Sequence, residues 1–493
     1  MRAAGSPRCV LLSVAPSGDA WMIRVAHGER FDALTGGTAY GPFSGEALAD
    51  RVGELLQQHV AQGYVQLAAA ELLAALSHES PRVRGRAAVR LGWRREAKAV
   101  EPLLAAAVRA RGDICPIVDA LGRIGDPRAI ELARSLAAKS QLSRRRSGVE
   151  ALRNLGDAVG LALARTANDT RLPDEITAVL AVLDEQRVTA SAVAQLEAAI
   201  AGIDPRKAGI VADGLYERDT PLAHRVARRM LTVERIRGPH QWRYAKSILK
   251  RTMLRGDAAT FGALAYTIER ASIGYTGATA VLTSGLDGEK RSTKVFGKQT
   301  QAYVLRACWR HLRDLARYRP AQYVEHAARV LACYKPTDAG PIAGDRGAFA
   351  SAFLLNRILY GASDRLRVGW RSLEHRFVSA SAVHPKPGVR EEAFAALWDE
   401  HPAAYLRLLV HAELPQVEAL ALAGVMRHPE VLQQAEPSTL LDLVARDREP
   451  LRATLQRELE RRFAADPNEW ALVEAVLARG LPLLRELSLR WLA

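Results

Sequence analysis

The residues best placed to do chemistry are cations at helical spacing, and the chemistry they suit is the binding of anions. One stripe consists of Arg306, Arg310, Arg313 and Arg317, at offsets of 0, 4, 7 and 11 residues, which is one face of a helix. The opposite face carries apolar Val304, Leu305, Cys308, Leu312 and Leu315. Asp314 is the only acid within this helix and lies off the stripe, so the arginines need acidic partners from elsewhere, either a neighbouring helix or phosphates.

A second basic segment precedes this helix and mixes cations with an aromatic residue. Arg243, Lys246 and Lys250 share one helical face, while Trp242 can pack inward. Basic side chains beside aromatics are typical of surfaces that follow a nucleic-acid backbone and stack on bases. A glycine-rich loop that carries Lys290, Arg291, Lys294 and Lys298 is expected to add a flexible contact. The predicted nucleic-acid contacts are Arg235, Arg237, Trp242, Arg243, Lys246, Lys250, Lys294, Lys298, Arg306, Arg310, Arg313 and Arg317.

The net charge of +15 is concentrated in one part of the chain. Between Arg225 and Val330 there are 21 lysines and arginines against seven acidic residues, a net charge of +14. The same segment holds ten of the 29 aromatic residues. This concentration favours an anionic partner, whereas arginine stripes in general are more often solvated or paired with acids on a neighbouring repeat.

Motifs of catalysis and cofactor binding are missing from the sequence. It contains no GxxxxGK[ST] loop, no GxSxG, no HExxH and no CxxC. The histidines are scattered, and no acidic pair stands out for acid–base chemistry. We therefore expect no cofactor and no metal, and a non-enzymatic protein is favoured.

From about Leu67 onward, leucine and alanine recur every three or four residues between short Gly, Pro and Asp breaks, which predicts helix after helix. Leu-Gly pairs recur at Leu91, Leu121 and Leu155, and in each unit the glycine is expected to end a helix. Asp126 and Pro127 should begin the next one. Two C-terminal stretches, Pro387–Leu397 and Pro415–Val425, repeat the pattern. These units resemble HEAT repeats, which stack in a solenoid.

The N-terminal segment differs, because it alternates like strands. Cys9–Ala15 and Trp21–Val25 predict two strands, Thr35–Gly37 a turn, and Phe43–Val65 an amphipathic helix that ends at Gly63. The module resembles a WGR domain, a fold found in some poly(ADP-ribose) polymerases and in many bacterial proteins. In that family a Trp-Gly-Arg signature helps to engage a DNA end. Here the three positions are His27, Gly28 and Glu29, and a glutamate facing phosphate is repulsive, so the head is expected to dock or cap.

The predicted fold class is mainly α: a HEAT-like α-solenoid with a small α+β WGR-like N-terminal domain. The predicted segments are 1–66, the WGR-like domain; 67–235, N-terminal repeats; 236–344, the basic and aromatic segment; and 345–493, C-terminal repeats. Four widely spaced cysteines indicate reduced thiols and a cytoplasmic protein. The longest apolar runs are too short to span a membrane. This arrangement also resembles a bacterial group of WGR- and HEAT-containing proteins.

Three functions remain open on this basis. The first is a non-enzymatic scaffold that binds nucleic acid, DNA or RNA, or another polyanion through its basic segment. The second is a protein-interaction adaptor whose arginines are paired internally, with a protein partner on the solenoid or the head. The third is a helical-repeat enzyme acting on nucleic acid, with dispersed catalytic residues.

Overall fold

The structure is a computed structural model that describes the larger part of the chain. The described residues are 2–3, 8–17, 20–29, 36–43, 55, 64–65, 69–110, 112–233, 236, 239–272, 280–284, 290–294, 296–368, 373–385, 388–446, 449–465 and 474. They are mostly helical, as the sequence predicts.

The N-terminal strands form one sheet in the order β4-β3-β2-β1-β5, and all of its pairings are antiparallel. The strands are β1 (Arg2–Ala3), β2 (Arg8–Ser17), β3 (Ala20–Glu29), β4 (Gly36–Phe43) and β5 (Tyr64–Val65). Ile23 and Val25 are buried, as their alternation predicts. The turn expected at Thr35–Gly37 is wrong in part, because Gly36 and Gly37 pair with β3. The helix expected over Phe43–Val65 is wrong at its two ends, because Phe43 belongs to β4 and Tyr64–Val65 form β5. Between them only Leu55 is described, and it is helical.

Helices fill the first half of the remaining chain. They are α1 (Ala69–Ala75), α2 (Pro81–Arg94), α3 (Val100–Val108), α4 (Ile114–Ile124), α5 (Ile130–Ala137), α6 (Leu142–Leu155), α7 (Ala158–Asp169), α8 (Asp174–Val182), α9 (Ala190–Ala201), α10 (Ala208–Arg218), α11 (Pro221–Met230), α12 (Pro239–Arg255) and α13 (Ala258–Arg270).

Helices and two short hairpins alternate in the second half. The hairpins are β6 (Ala280–Ser284) with β7 (Lys290–Lys294), and β8 (Leu366–Val368) with β9 (His375–Phe377). The helices are α14 (Lys298–Tyr318), α15 (Pro320–Leu331), α16 (Phe353–Leu359), α17 (Ala395–Glu400), α18 (Ala403–His411), α19 (Pro415–Arg427), α20 (Glu430–Gln433), α21 (Pro437–Ala445) and α22 (Glu449–Ala465). No helix within these described ranges has the length and apolar character that crossing a bilayer requires.

Alternate helices pack side by side in a row that runs α2, α4, α6 and α12. The prediction that Gly92 and Gly122 end helices is wrong, because both lie inside helices. A Cβ on Gly92 would lie 2.7 Å from Cα of Ala120, and one on Gly122 would lie 2.8 Å from Cα of Ala151. These glycines therefore allow neighbouring helix backbones to approach closely, and a side chain at either position would push the helices apart.

Other residues near the predicted breaks do begin or end helices. Gly125, with φ of 85°, ends α4, and Gly156, with φ of 72°, ends α6. Both angles are in the left-handed region that favours glycine. The prediction for Asp126 is confirmed, since its carboxylate accepts a hydrogen bond of 3.0 Å from the backbone N–H of Arg128 and Pro127 follows at the first helical position.

A single cluster of buried apolar side chains extends from Leu172 to Leu459. It crosses the predicted boundaries at 235/236 and 344/345, so those boundaries mark changes in composition within one core. Helix α14 also folds back to contact α2.

Two predictions of local structure are wrong. The loop expected to carry Lys290 and Lys294 is the β6–β7 hairpin, with both residues on β7. Residues 388–394 are not helical, so Pro387–Leu397 does not repeat the pattern of α19. The backbone N–H of Ala393 donates to the carbonyl of Ile358, and Phe394 adopts a positive φ of 56°, neither of which is compatible with a continuous helix. Val389 is 55% exposed.

Candidate nucleic-acid interface

Helix α14 presents the arginine stripe much as its sequence predicts. Its five predicted apolar residues are all buried. Arg310, Arg313 and Arg317 are exposed, while Arg306 is half-buried. Within the described part of the chain, no carboxylate lies within 4.0 Å of Arg310, Arg313 or Arg317. Helix α14 therefore directs a row of weakly compensated guanidinium groups away from its packed face.

Arginines of the stripe and arginines of two other helices lie around Asp314. This half-buried carboxyl has a raised pKa because it is buried, and four arginines oppose that rise. Arg313 and Arg310 come from α14, Arg123 from α4 and Arg90 from α2. A single carboxylate thus lies among cations of three helices.

A second carboxyl, Asp119 of α4, lies in a similar environment. Burial raises its pKa, and Arg146, Arg123 and Lys250 oppose the rise together with a hydrogen bond from the side chain of Ser147. Arg146 belongs to α6 and Lys250 to α12. We call Arg90, Arg123, Arg146, Lys246, Lys250, Arg310 and Arg313, with Asp119 and Asp314 between them, the basic cluster.

The pKa of Lys250 shows that positive charge in the basic cluster is only partly compensated. Burial, with Arg146 and Lys246 nearby, lowers the pKa of its ammonium group to about 8, and Asp119 compensates only in part. Arg146 is 8% exposed, and its buried Nε has no hydrogen-bond partner among the described groups. Among the described residues, five of these cations, Arg123, Arg146, Lys250, Arg310 and Arg313, lie around the two carboxylates, which leaves an excess of positive charge that an anion would neutralise.

Aromatic rings support the cations at both ends of the basic cluster. The guanidinium of Arg123 lies 4.4 Å from the ring centroid of Trp93, and that indole stacks on Tyr318 with a centroid distance of 6.0 Å. At the other end, Nζ of Lys246 lies 5.8 Å from the ring of Tyr303, which is 49% exposed. Trp93 is thus already engaged, whereas Tyr303 offers ring surface to a ligand.

The opposite side of α12 contrasts with the basic cluster. Arg251 and Arg255 are buried, and both bind Glu150, at 2.8 Å and 2.7 Å. Arg251 also lies 3.3 Å from Asp213, and Arg255 lies 2.8 Å from Asp219. Arg145, Arg153 and Glu217 complete what we call the ion-pair core, with four arginines and four carboxylates.

Charges within the ion-pair core stabilise one another. Burial lowers the pKa of Arg251, but the carboxylates of Glu217 and Glu150 outweigh it and the net shift is upward. Burial raises the pKa of Glu150, but Arg255 and Arg251 outweigh it and the net shift is downward. Both residues therefore keep their charge inside the protein, and neither is available to an external ligand.

The predicted contact residues fall into several groups. Arg243 and Lys298 are exposed, and Arg243 lies 4.9 Å from the ring of Tyr244. Trp242 is a correction, because it is 3% exposed and its ring lies 4.4 Å from that of Phe296, so it belongs to the core and cannot stack on a base. Lys294 is on β7, and Arg235 and Arg237 lie outside the described residues.

Three cations of the basic cluster were missed from the sequence: Arg90, Arg123 and Arg146. They belong to residues 67–224, where 23 lysines and arginines are nearly balanced by 20 acidic residues. One signal was present. Trp93 and Arg123 each follow the glycine of a Leu-Gly pair, so the repeat spacing alone places them side by side on adjacent helices.

No group of three or more His, Cys, Asp or Glu residues suited to a metal ion occurs in the described ranges. Comparison of the chain with protein families, with curated proteins and with solved structures found no match in any of the three.

Proposed function

We propose that this chain is a non-enzymatic scaffold that binds nucleic acid, or another polyanion, through the basic cluster and the adjoining stripe of α14. The observation that carries the proposal is the uneven charge, since α4, α6, α12 and α14 bring Arg123, Arg146, Lys250, Arg310 and Arg313 together around only two carboxylates of the described residues. Counterion release on binding phosphates is the main source of affinity for such a surface.

The fold that we propose is a HEAT-like α-solenoid with a small α+β WGR-like head in a cytoplasmic protein. It is supported by the successive packing of α2, α4 and α6 and by the close approaches at Gly92 and Gly122. The head carries Glu29 at the end of β3. Because a glutamate repels phosphate, we propose that the head docks or caps and that nucleic acid contacts the helices.

The arrangement favours recognition of a backbone over recognition of bases. Cations account for most of the exposed polar groups along α14, and Trp93 is held between Arg123 and Tyr318. Tyr303 is the one half-exposed ring that we place beside a cation of the basic cluster, at Lys246. Affinity should therefore depend strongly on salt and weakly on sequence.

The adaptor hypothesis requires arginines that are paired internally. That pairing is found for a different set of arginines, those of the ion-pair core, and not for Arg310, Arg313 or Arg317 within the described residues. The exposed stripe on α14 therefore favours the polyanion-binding scaffold over the adaptor.

A salt titration of the full-length protein tests the proposal. Fluorescence anisotropy would follow binding of labelled single- and double-stranded DNA and RNA of about 30 nucleotides between roughly 50 and 200 mM NaCl. The Arg306→Glu, Arg310→Glu, Arg313→Glu variant is expected to lose about 100-fold or more in affinity. Its slope of log affinity against log salt should fall by about 2–3.

The matched control reverses three exposed cations near the ends of α3 and α5: Lys98→Glu, Arg109→Glu and Lys139→Glu. The control changes the net charge by the same amount. Its affinity for nucleic acid should fall less than about fivefold, because these residues lie away from the proposed interface and act only through long-range electrostatics. A flat salt response of the wild type, or equal losses in the two variants, would overturn the proposal.

A further inference from the structure

A cavity of about 680 Å³ lies between α16, the β8–β9 hairpin, residues 383–385, residues 389–392 and α19, on elements that contribute nothing to the basic cluster. Its size is within the usual range for small-molecule sites. Aliphatic and aromatic side chains form most of its lining, among them Leu355, Leu359 and Phe377. The segment that the sequence predicts as a helix, Pro387–Leu397, instead supplies Val389 to Glu392 as one wall.

Apolar side chains at this cavity remain in contact with water. Ile342 is 75% exposed, Val389 55% and Val383 46%, and all three line the cavity. Such a concentration of large exposed aliphatic residues around one concave site is costly in water. An apolar ligand would cover them.

Each charged residue that lines the cavity has an ionic partner, either in the lining or beside it. Arg365 binds Glu391, with Nε 2.6 Å from Oε1, and Arg390 binds Glu392 at 2.5 Å. Arg346 lies 3.5 Å from Glu374, and Arg427 lies 3.7 Å from Asp399. Because each of these four arginines has a carboxylate partner, the described residues of the lining present no unbalanced charge to an ionic ligand.

One polar atom at the cavity lacks a partner. His375 of β9 lines the cavity and is 5% exposed, and its buried Nδ1 has no hydrogen-bond partner among the described groups. Burial, with Arg357 nearby, lowers the pKa of this imidazole to about 3, so the ring is neutral at pH 7. A neutral imidazole has one protonated nitrogen and one nitrogen that accepts a hydrogen bond.

We propose that this cavity binds a neutral, largely apolar small molecule that donates one hydrogen bond, from a hydroxyl or an N–H, to the imidazole of His375. The ligand would satisfy the unpaired nitrogen and cover the exposed aliphatic rim at the same time. The site is independent of the proposed polyanion binding, because no residue of the basic cluster lines it.

Two matched probes test the site on the full-length protein at pH 7. 2-Naphthol has an apolar body and one hydroxyl donor, and 2-methoxynaphthalene has the same body without the donor. Calorimetric titration should give a 1:1 complex with 2-naphthol and a Kd of roughly 10–100 µM for a ligand of this size. The methoxy compound should bind about tenfold more weakly, which is the value of one hydrogen bond.

Three variants separate this cavity from general surface binding. Ala423→Trp places an indole in the cavity from an exposed position of α19 and should abolish binding, whereas Met426→Trp, on the same helix outside the lining, should not alter it. His375→Phe should bind both probes equally. Circular dichroism would establish that each variant is folded. Absence of saturable binding to the wild type, or unchanged binding by folded Ala423→Trp, would overturn the proposal, as would a tenfold preference that persists in His375→Phe.

Discussion

The two sides of helix α12 show how position decides what a cation does. On one side Arg251 and Arg255 enter the ion-pair core, where carboxylates of α6 and α10 match the arginines in number. On the other side Lys246 and Lys250 enter the basic cluster, where cations are in excess. Adjacent residues of one helix, Lys250 and Arg251, thus have opposite consequences. Compensated charge supports the fold, and uncompensated charge is available to a ligand.

The largest expected effect comes from breaking the ion-pair core. Arg251→Met would leave Glu150, Asp213 and Glu217 buried with fewer partners. We expect the free energy of unfolding to fall by roughly 3–5 kcal/mol, the usual cost of removing one member of a buried pair. Urea denaturation would measure it. Lys246→Met on the same helix is the control and should cost less than about 1 kcal/mol. A similar small cost for Arg251→Met would contradict the comparison.

The adjacent substitution Lys250→Met is expected to act in the opposite direction. The pKa of Lys250 is about 8 in the folded protein against an ordinary value of 10.5, so unfolding takes up a proton between these pH values and wild-type stability rises with pH across that window. At pH 7 the variant should be more stable than the wild type by about 1–3 kcal/mol, and this advantage should vanish by about pH 10.5.

Urea denaturation of both proteins at several pH values between 7 and 10.5 would test the Lys250 prediction. Groups other than Lys250 titrate alike in the two proteins, so their contribution cancels when the two unfolding free energies are subtracted. Lys335→Met is the control, because that exposed lysine lies 3.5 Å from Glu413 and its loss should change stability little. A Lys250→Met variant that is less stable than the wild type at pH 7 would show that the basic cluster is compensated.

The smallest effect concerns salt. Raising NaCl from about 20 to 300 mM should stabilise the wild type by about 0.5–1 kcal/mol, because salt screens repulsion among the partly exposed cations of the basic cluster and not the ion-pair core. Arg310→Gln with Arg313→Gln should remove much of this gain. Arg187→Gln is the control, since Arg187 pairs with Asp184 at 3.3 Å on the surface. Thermal unfolding at each salt concentration would measure it, and an unaltered gain in the double variant would contradict the prediction.

Several local features could be predicted from the sequence because they depend on neighbouring residues. Leucine and alanine periodicity predicts the helices, alternation predicts β3, and Asp126 with Pro127 predicts a helix start. The stripe on α14 follows from its spacing alone, since residues three or four apart share a helix face. The glycines show the limit of this reasoning. Gly125 and Gly156 end helices, while Gly92 and Gly122 serve packing between helices, and the sequence gives all four the same letter.

The same limit applies to Trp242 and to residues 388–394. An aromatic residue beside cations has the composition of a stacking surface, yet Phe296 covers Trp242 from more than fifty positions along the chain. Residues 388–394 resemble the start of a repeat helix. Their backbone bonds to Ile358 and Ala362 hold them in another conformation and make them a cavity wall. Both outcomes depend on contacts with distant segments.

The sequence by itself determined that this chain is mostly helical, that its positive charge is concentrated, and that α14 has a cationic face, because these properties depend on composition and short-range spacing. Only the tertiary structure decided which cations are compensated. Glu150 meets Arg251 across 101 positions of the chain, and Arg123 and Lys250 approach the same Asp119 from different helices. Charge compensation is a property of distances in space, and over such separations only the packing of helices sets them.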